Sequence, residues 1–142
     1  MQIATLALGC FWGPEDYFSK LKGVLKTRVG YAGGTKKNPS YYNLGDHTET
    51  VEITFDPKII SFEALLKHFW KEHDPTVKYS NHYKSAIYYQ DEEQHKIAEK
   101  SKQVIEKKLG RKVATEIQKA GAFYEAEEYH QKYLQKGKGR VC

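Results

Sequence analysis

Apolar residues that alternate over short runs, interleaved with stretches of helical spacing, predict an α/β fold of the two-layer α+β sandwich kind. The order of elements is βαββαβ followed by αβα, which lays helices against one mixed sheet. Two stretches carry most of this reading. Thr48 to Phe55 places Val51, Ile53 and Phe55 on one face and Thr50, Glu52 and Thr54 on the other. Phe62, Leu65, Leu66, Phe69 and Trp70 recur at helical spacing, a pattern that marks core. No repeat or linker interrupts the 142 residues, so one domain is expected over 1–142, with 135–142 a flexible tail.

The elements follow in order. Ile3 to Leu8 is short and mostly apolar, as a buried strand is. Pro14 suits the first position of the next helix and Glu15 and Asp16 its first turn; Tyr17, Phe18 and Leu21 face inward and Gly23 ends it. Val24 to Tyr31 reads as a strand. Residues 32–46 form a loop rich in Gly, Lys, Asn, Pro and Ser, long enough to suggest function, with Tyr41 and Tyr42 inside it. Ser61 caps the helix of the Phe62 to Trp70 pattern, and Pro75 bars its continuation past Asp74. His73 and Asp74 have a local turn role at that helix end. Ser85 to Tyr89 is a short buried strand. Asp91 and Gln94 form a capping box for a helix to Leu109, with Ile97, Ala98, Val104, Ile105 and Leu109 inward and Gly110 at its end. Val113, Thr115 and Ile117 alternate as a strand, and a last helix is expected around Glu125 to Leu134.

Composition excludes several classes. No apolar run is long enough for a membrane span, and the N-terminus lacks a basic region before an apolar one, so a cytoplasmic protein is expected. The 23 basic residues exceed the 18 acidic ones, but lysines interleave with acids, as in Glu92-Glu93-Gln94-His95-Lys96, which describes a solvated face better than a nucleic-acid surface. The six histidines include no His-x-x-x-His pair, so no metal site is expected. Gly30, Gly33 and Gly34 have the wrong spacing for a dinucleotide fingerprint. Cys10 and Cys142 make no disulfide framework and read as a redox pair.

Cys10 is the candidate nucleophile. It lies just ahead of a helix N-terminus, whose unpaired amides and positive dipole end favour a thiolate. Phe11 and Trp12 follow it at a turn, where aromatic rings are not usually needed for folding. Glu49 belongs by parity to the apolar face of its strand; the residues leave open whether it lies at the strand mouth in water or is buried, where lost solvation raises a carboxyl pKa and produces a proton donor near neutrality.

Gly9-Cys10-Phe11-Trp12-Gly13 resembles the signature of the peptide methionine sulfoxide reductase A family. Gly30 to Gly34, Asn38 to Tyr41, His47 to Glu49, Phe69 to Pro75, Tyr83 to Tyr88 and Glu127 to Leu134 resemble further blocks, in the family's order. The resemblance implies a ferredoxin-like core and reduction of the S epimer of methionine sulfoxide, free or in proteins. It also implies roles: Phe11 and Trp12 line a pocket for the methyl group, Tyr41 and Tyr83 donate hydrogen bonds to the sulfoxide oxygen, and Glu49 is the acid. Attack by Cys10 then leaves methionine and a sulfenic acid, which Cys142 resolves as a disulfide for thioredoxin or another dithiol to reduce. No other cofactor is implied, and a monomer without nucleic-acid or membrane partners is expected. Eight tail residues from Gln135 reach roughly 26 Å when extended, enough for Cys142 to approach Cys10. Val77 to His82 is shorter than the family's glycine-rich stretch and has no acidic residue, with Asn81 standing there instead. Two other readings compete: a nucleic-acid-binding module with a structural Cys10, and a peroxidase thiol.

Overall fold

The chain crosses one sheet six times in the computed structural model, which describes residues 1–136. The elements are β1 (Gln2–Leu8), α1 (Trp12–Ser19), β2 (Val24–Ala32), β3 (Thr48–Phe55), α2 (Phe62–Lys71), β4 (Ser85–Tyr89), α3 (Glu92–Leu109), β5 (Glu116–Lys119) and β6 (Phe123–Glu125). Single 3-10 turns lie at Asn81–Tyr83 and Glu128–His130. The strand order is β5-β4-β1-β3-β2-β6, and every pairing is antiparallel except β4 with β5. This is a mixed α/β architecture of six strands and three helices among the described residues.

Strand parity decides which residues meet the helices. Leu6 and Leu8 of β1, Val29 and Tyr31 of β2, Val51, Ile53 and Phe55 of β3, and Ile87 of β4 are buried in one cluster. Phe18 of α1, the apolar stripe of α2 and Ala98 of α3 complete it. The other face holds the small residues Ala7, Ala32 and Ala86, closed over by Tyr88 and Phe123. All three helices contribute to the first cluster and none to the second, so the layers follow from the period-2 pattern.

Caps form where side chains can supply them. Ser61 Oγ accepts from the Ala64 amide at 3.0 Å, and Asp91 Oδ1 accepts from Gln94 N at 2.8 Å. The expected return bond of the capping box goes one residue further back, from Gln90 N to Gln94 Oε1. Gly110 closes α3 with φ +69°. Asp74 Oδ1 accepts from the Thr76 amide and hydroxyl, the local role the sequence implied, whereas His73 contacts the nearby Phe69 carbonyl but also reaches Ser85 Oγ of β4, twelve residues on, a bond beyond the local turn.

Several expectations are corrected. Helix α1 starts at Trp12, so Pro14 is its third residue, where a missing N–H removes no intrahelical bond. It ends at Ser19, well before Gly23, and Tyr17 is only half-buried, its hydroxyl 2.6 Å from His68 Nδ1. Val104 and Leu109 are exposed: the inward face of α3 runs through Gln94, Ala98, Ser101 and Ile105, which leaves Val104 to one side of it, and Leu109 is the helix's last residue. The strand expected at Val113 begins at Glu116, although Val113 and Thr115 are buried. The helix expected around Glu125 to Leu134 does not form. Strand β6, the turn Glu128–His130 and an irregular stretch replace it, because Gln131 hydrogen-bonds the backbone of Val29 through both ends of its amide and Lys132 adopts φ +55°. Most of the expected tail, 137–142, lies outside the described residues.

Gly30 gives this arrangement a sharp test. A Cβ there would overlap the Tyr124 carbonyl oxygen and stand 2.6 Å from the Phe123 ring, on the β6 strand that pairs with it. Gly30→Ala is expected to destabilise the fold by about 1–3 kcal/mol, as overpacking does, read from the midpoint of urea unfolding. An unchanged midpoint would contradict the close β2 to β6 packing.

Candidate functional site

The candidate nucleophile sits in the turn between β1 and α1. Gly9, at φ +97°, redirects the chain as it leaves β1, and Cys10 follows half-buried with Phe11 fully buried behind it. Cys10 is disulfide-bonded in this structure. The next backbone amide, Phe11 N, donates to Glu49 Oε1 at 3.2 Å.

Glu49 pairs across the sheet with Tyr31 of β2 and shares the inward face of Val51, Ile53 and Phe55. It is 1% exposed. Burial pushes its pKa up to about 7, against the smaller downward pull of the Phe11 amide. A carboxyl so placed exists in both protonation states near neutrality, and when protonated it still offers an oxygen to Phe11 while its hydroxyl can donate.

Two phenols approach the same carboxylate. Tyr41 comes from the long loop after β2 and Tyr83 from the 3-10 turn before β4. Burial first, and then for Tyr41 the neighbouring Tyr83 and Glu49, and for Tyr83 Glu49, hold both phenols above the ordinary tyrosine value and therefore protonated. The loop is braced from within. Asp46 Oδ2 accepts from Thr35 N at 2.7 Å and Thr35 Oγ1 at 2.6 Å, and its Oδ1 accepts from Lys36 N at 3.0 Å. Asn81 Nδ2 donates to the carbonyls of Asp46 and His47, so its amide ties the Tyr83 turn to the Tyr41 loop.

The C-terminal segment completes the site, and the sequence did not single out its residues. Trp12 Nε1 donates to His130 Nδ1 at 3.0 Å, and the Trp12 indole stacks on Tyr133 with centroids 3.7 Å apart and planes at 5°. His130 also lies 5.3 Å from the Phe11 ring and 4.4 Å from that of Tyr41. Accepting from Trp12 requires a neutral imidazole, and burial lowers the His130 pKa despite Glu127 nearby. Glu127 accepts from Tyr31 Oη at 2.7 Å and from Tyr41 N at 3.1 Å. Burial would raise its pKa, but these bonds prevail and hold it below the usual carboxylate value.

Thus Cys10, Phe11, Trp12, Glu49, Tyr41 and Tyr83 gather at one end of the sheet, while Cys142 lies outside the described residues. Among the described residues, no group of three or more His, Cys, Asp or Glu side chains could hold a metal. The block Glu127 to Leu134 carried the only sequence signal for His130 and Tyr133. Reading it as a regular helix hid which of its side chains face Trp12.

Comparison with known proteins adds the family context. The family model described as peptide methionine sulfoxide reductase matches residues 2–142. A peptide methionine sulfoxide reductase MsrA of Methanothermobacter thermautotrophicus is 45% identical, covering 98% of this chain and 89% of its own. Mxr1 from Saccharomyces cerevisiae in reduced form superposes with a TM-score of 0.93 at 33% identity, covering 99% of this chain and 88% of its own. Mxr1 in complex with Trx2 gives a TM-score of 0.72 at 31% identity, over 93% of this chain and 84% of its own.

Burial of Glu49 has a measurable consequence for stability. Its folded pKa is raised from 4.5 to about 7, so the fold disfavours the ionised form. Its contribution is neutral below the unfolded value, and stability is lost as pH rises from about 4.5 to about 7, by on the order of 3 kcal/mol. Glu49→Gln is expected to remove that loss, so the variant gains on wild type between pH 4.5 and 7.5 in paired urea melts. Parallel pH profiles would show that the carboxylate is not held dry.

Proposed function

Because the chain belongs to the peptide methionine sulfoxide reductase family, we propose that Cys10, Glu49, Tyr41, Tyr83, Phe11 and Trp12 reduce the S epimer of methionine sulfoxide, free or peptide-bound. The enzyme is an oxidoreductase of the family's kind, acting on methionine sulfoxide with thioredoxin. The observation that carries the detailed reading is the Glu49 carboxyl, buried, bonded to the amide next to Cys10 and poised at about 7.

In this reading the Cys10 thiolate attacks the sulfoxide sulfur while Glu49 gives its proton to the sulfoxide oxygen. Tyr41 and Tyr83, kept protonated, donate to that oxygen as negative charge grows on it. Attack forms a bond between the Cys10 sulfur and the sulfoxide sulfur. The protonated oxygen then passes to Cys10 as that S–S bond and the S–O bond break, so methionine leaves with the electron pair and Cys10 becomes a sulfenic acid, oxidised by two electrons as the sulfoxide is reduced by two. Cys142 then attacks the sulfenic sulfur, expelling water and forming the Cys10 to Cys142 disulfide. A dithiol restores both cysteines. The yeast Mxr1 complex with Trx2 supports thioredoxin as that dithiol. Phe11 and Trp12 offer the apolar wall that a methyl group needs, worth about 1 kcal/mol for its burial.

The central strands in order β4-β1-β3-β2, with βαββαβ connectivity, support a ferredoxin-like core in a single domain over 1–142. Action without a nucleic-acid partner is part of the proposal. Among the described residues no helix is long and apolar enough to cross a membrane. A cytoplasmic monomer that repairs oxidised proteins is the setting proposed, with no cofactor beyond the dithiol.

Cys10→Ser is expected to abolish methionine formation without loss of fold, since a serine hydroxyl is scarcely ionised and forms no sulfenic acid. Glu49→Gln is expected to slow the single-turnover step by 10²-fold or more, in the range assigned to general acids, and to flatten its pH profile near 7. Cys142→Ser should release one methionine per protein and then stall when thioredoxin is the only reductant. Near-normal turnover of Cys10→Ser, or a wild-type preference for peroxide over sulfoxide, would overturn the assignment.

A further inference from the structure

Glu15 lies in the first turn of α1, three residues beyond Trp12, and is 1% exposed. A buried carboxylate needs partners, and this one has three. Oε1 accepts from the Lys132 backbone amide at 2.7 Å, and Oε2 accepts from Lys132 Nζ at 2.8 Å and Thr27 Oγ1 at 2.9 Å. The ammonium is equally satisfied, with Nζ also donating to the Thr27 carbonyl and, at 2.7 Å, to Thr27 Oγ1. One side chain of the nucleophile's helix thus grips both the backbone and the side chain of a single residue 117 positions away.

That grip sets the backbone. Lys132 has φ +55°, a conformation costly for a residue with a Cβ, and its two hydrogen bonds to Glu15 turn its amide and its ammonium toward α1 together. The residue after it is Tyr133, stacked on Trp12, and two residues before it His130 accepts from the Trp12 indole. Gln131 fixes the intervening position on the β2 backbone at Val29. The Trp12 ring is therefore clamped from the C-terminal segment by residues on either side of the anchor.

We infer that Glu15 and Lys132 are positioning residues: their ion pair, buried on the Glu15 side, sets the segment 130–133 so that His130 and Tyr133 fix the Trp12 wall of the methyl pocket. The inference rests on the proposed function for its kinetic consequence, but the placement of Trp12 can be read without turnover. Neither residue touches the reacting atoms. Loss of the pair loosens the wall, weakening sulfoxide binding while leaving Cys10 and Glu49 able to react once substrate is held.

The test uses the full chain carrying Trp70→Phe, so that Trp12 is the lone tryptophan and its near-ultraviolet circular dichroism and emission report the stack with Tyr133. Lys132→Met removes the ammonium and keeps the apolar stem, Lys132→Asn also removes it but tolerates positive φ, and Glu15→Gln/Lys132→Met removes both charges and leaves no unpaired buried ion. All three are expected to shift Trp12 emission to the red and weaken the near-ultraviolet band. With dithiothreitol as reductant, they should raise KM for methionine sulfoxide about tenfold and change kcat less than threefold. Should Lys132→Met fail to fold, the double variant carries the same readouts. Folded variants with wild-type Trp12 spectra and KM would overturn the inference, as would a fall in kcat at constant KM. A wild-type protein inert toward sulfoxide would instead sink the proposed function, with the spectra still deciding the anchor.

Discussion

The hydrogen bond from the Phe11 amide to Glu49 joins the two halves of the site, and its geometry is fixed by the sheet. Phe11 can reach Glu49 only because β1 and β3 are neighbours and because Gly9 turns the chain back over the end of β3. The same pairing puts Glu49 on the inward face, where water is excluded. Had β3 slipped by one residue, the carboxylate would have faced the other side of the sheet and met the opposite set of neighbours. Register, rather than any single contact, is therefore what brings an acid beside the cysteine.

Three acids sit close to this centre and are treated in three ways. Glu15 is buried against an ammonium and a hydroxyl, so its charge is matched. Glu127 is partly buried but accepts from Tyr31 and from the Tyr41 amide, and these bonds keep it ionised. Glu49 has one backbone donor and little else, and burial dominates, leaving it near 7. Chemically identical groups thus meet very different surroundings: two are held by several donors each, and one, Glu49, by burial with a single backbone donor that leaves it near 7.

Much of this was legible in the sequence. The parity of Thr48 to Phe55 turned Glu49 inward, and the caps at Ser61, Asp91 and Gly110 were written in residue types whose side chains or backbone freedom act locally. What failed was governed by distant partners. Residues 125–134 have helical composition, yet the Gln131 amide finds a better partner in Val29 and Lys132 in Glu15, and neither pairing leaves a local trace. Val104 and Leu109 are apolar residues near the apolar stripe of α3, but the stripe that meets the core runs through Ala98 and Ile105, and which edge of a stripe is covered depends on the neighbouring elements rather than on spacing.

The irregular segment also resolves a mechanical conflict in the proposed cycle. In that cycle residues 130–133 fix the Trp12 wall of the proposed pocket, and Cys142 is proposed to meet Cys10 after each reduction. If the wall moved with the later residues, every disulfide exchange would rebuild the pocket. The Glu15 to Lys132 pair lies between these duties, tying residue 132 to α1 through main chain and side chain at once. A regular helix over 125–134 would have transmitted movement at its end along its whole length. Pinned instead at Val29, Thr27 and Glu15, the backbone of residues 131 and 132 is held against β2 and α1, so in the proposed cycle the Trp12 wall need not be rebuilt at each disulfide exchange.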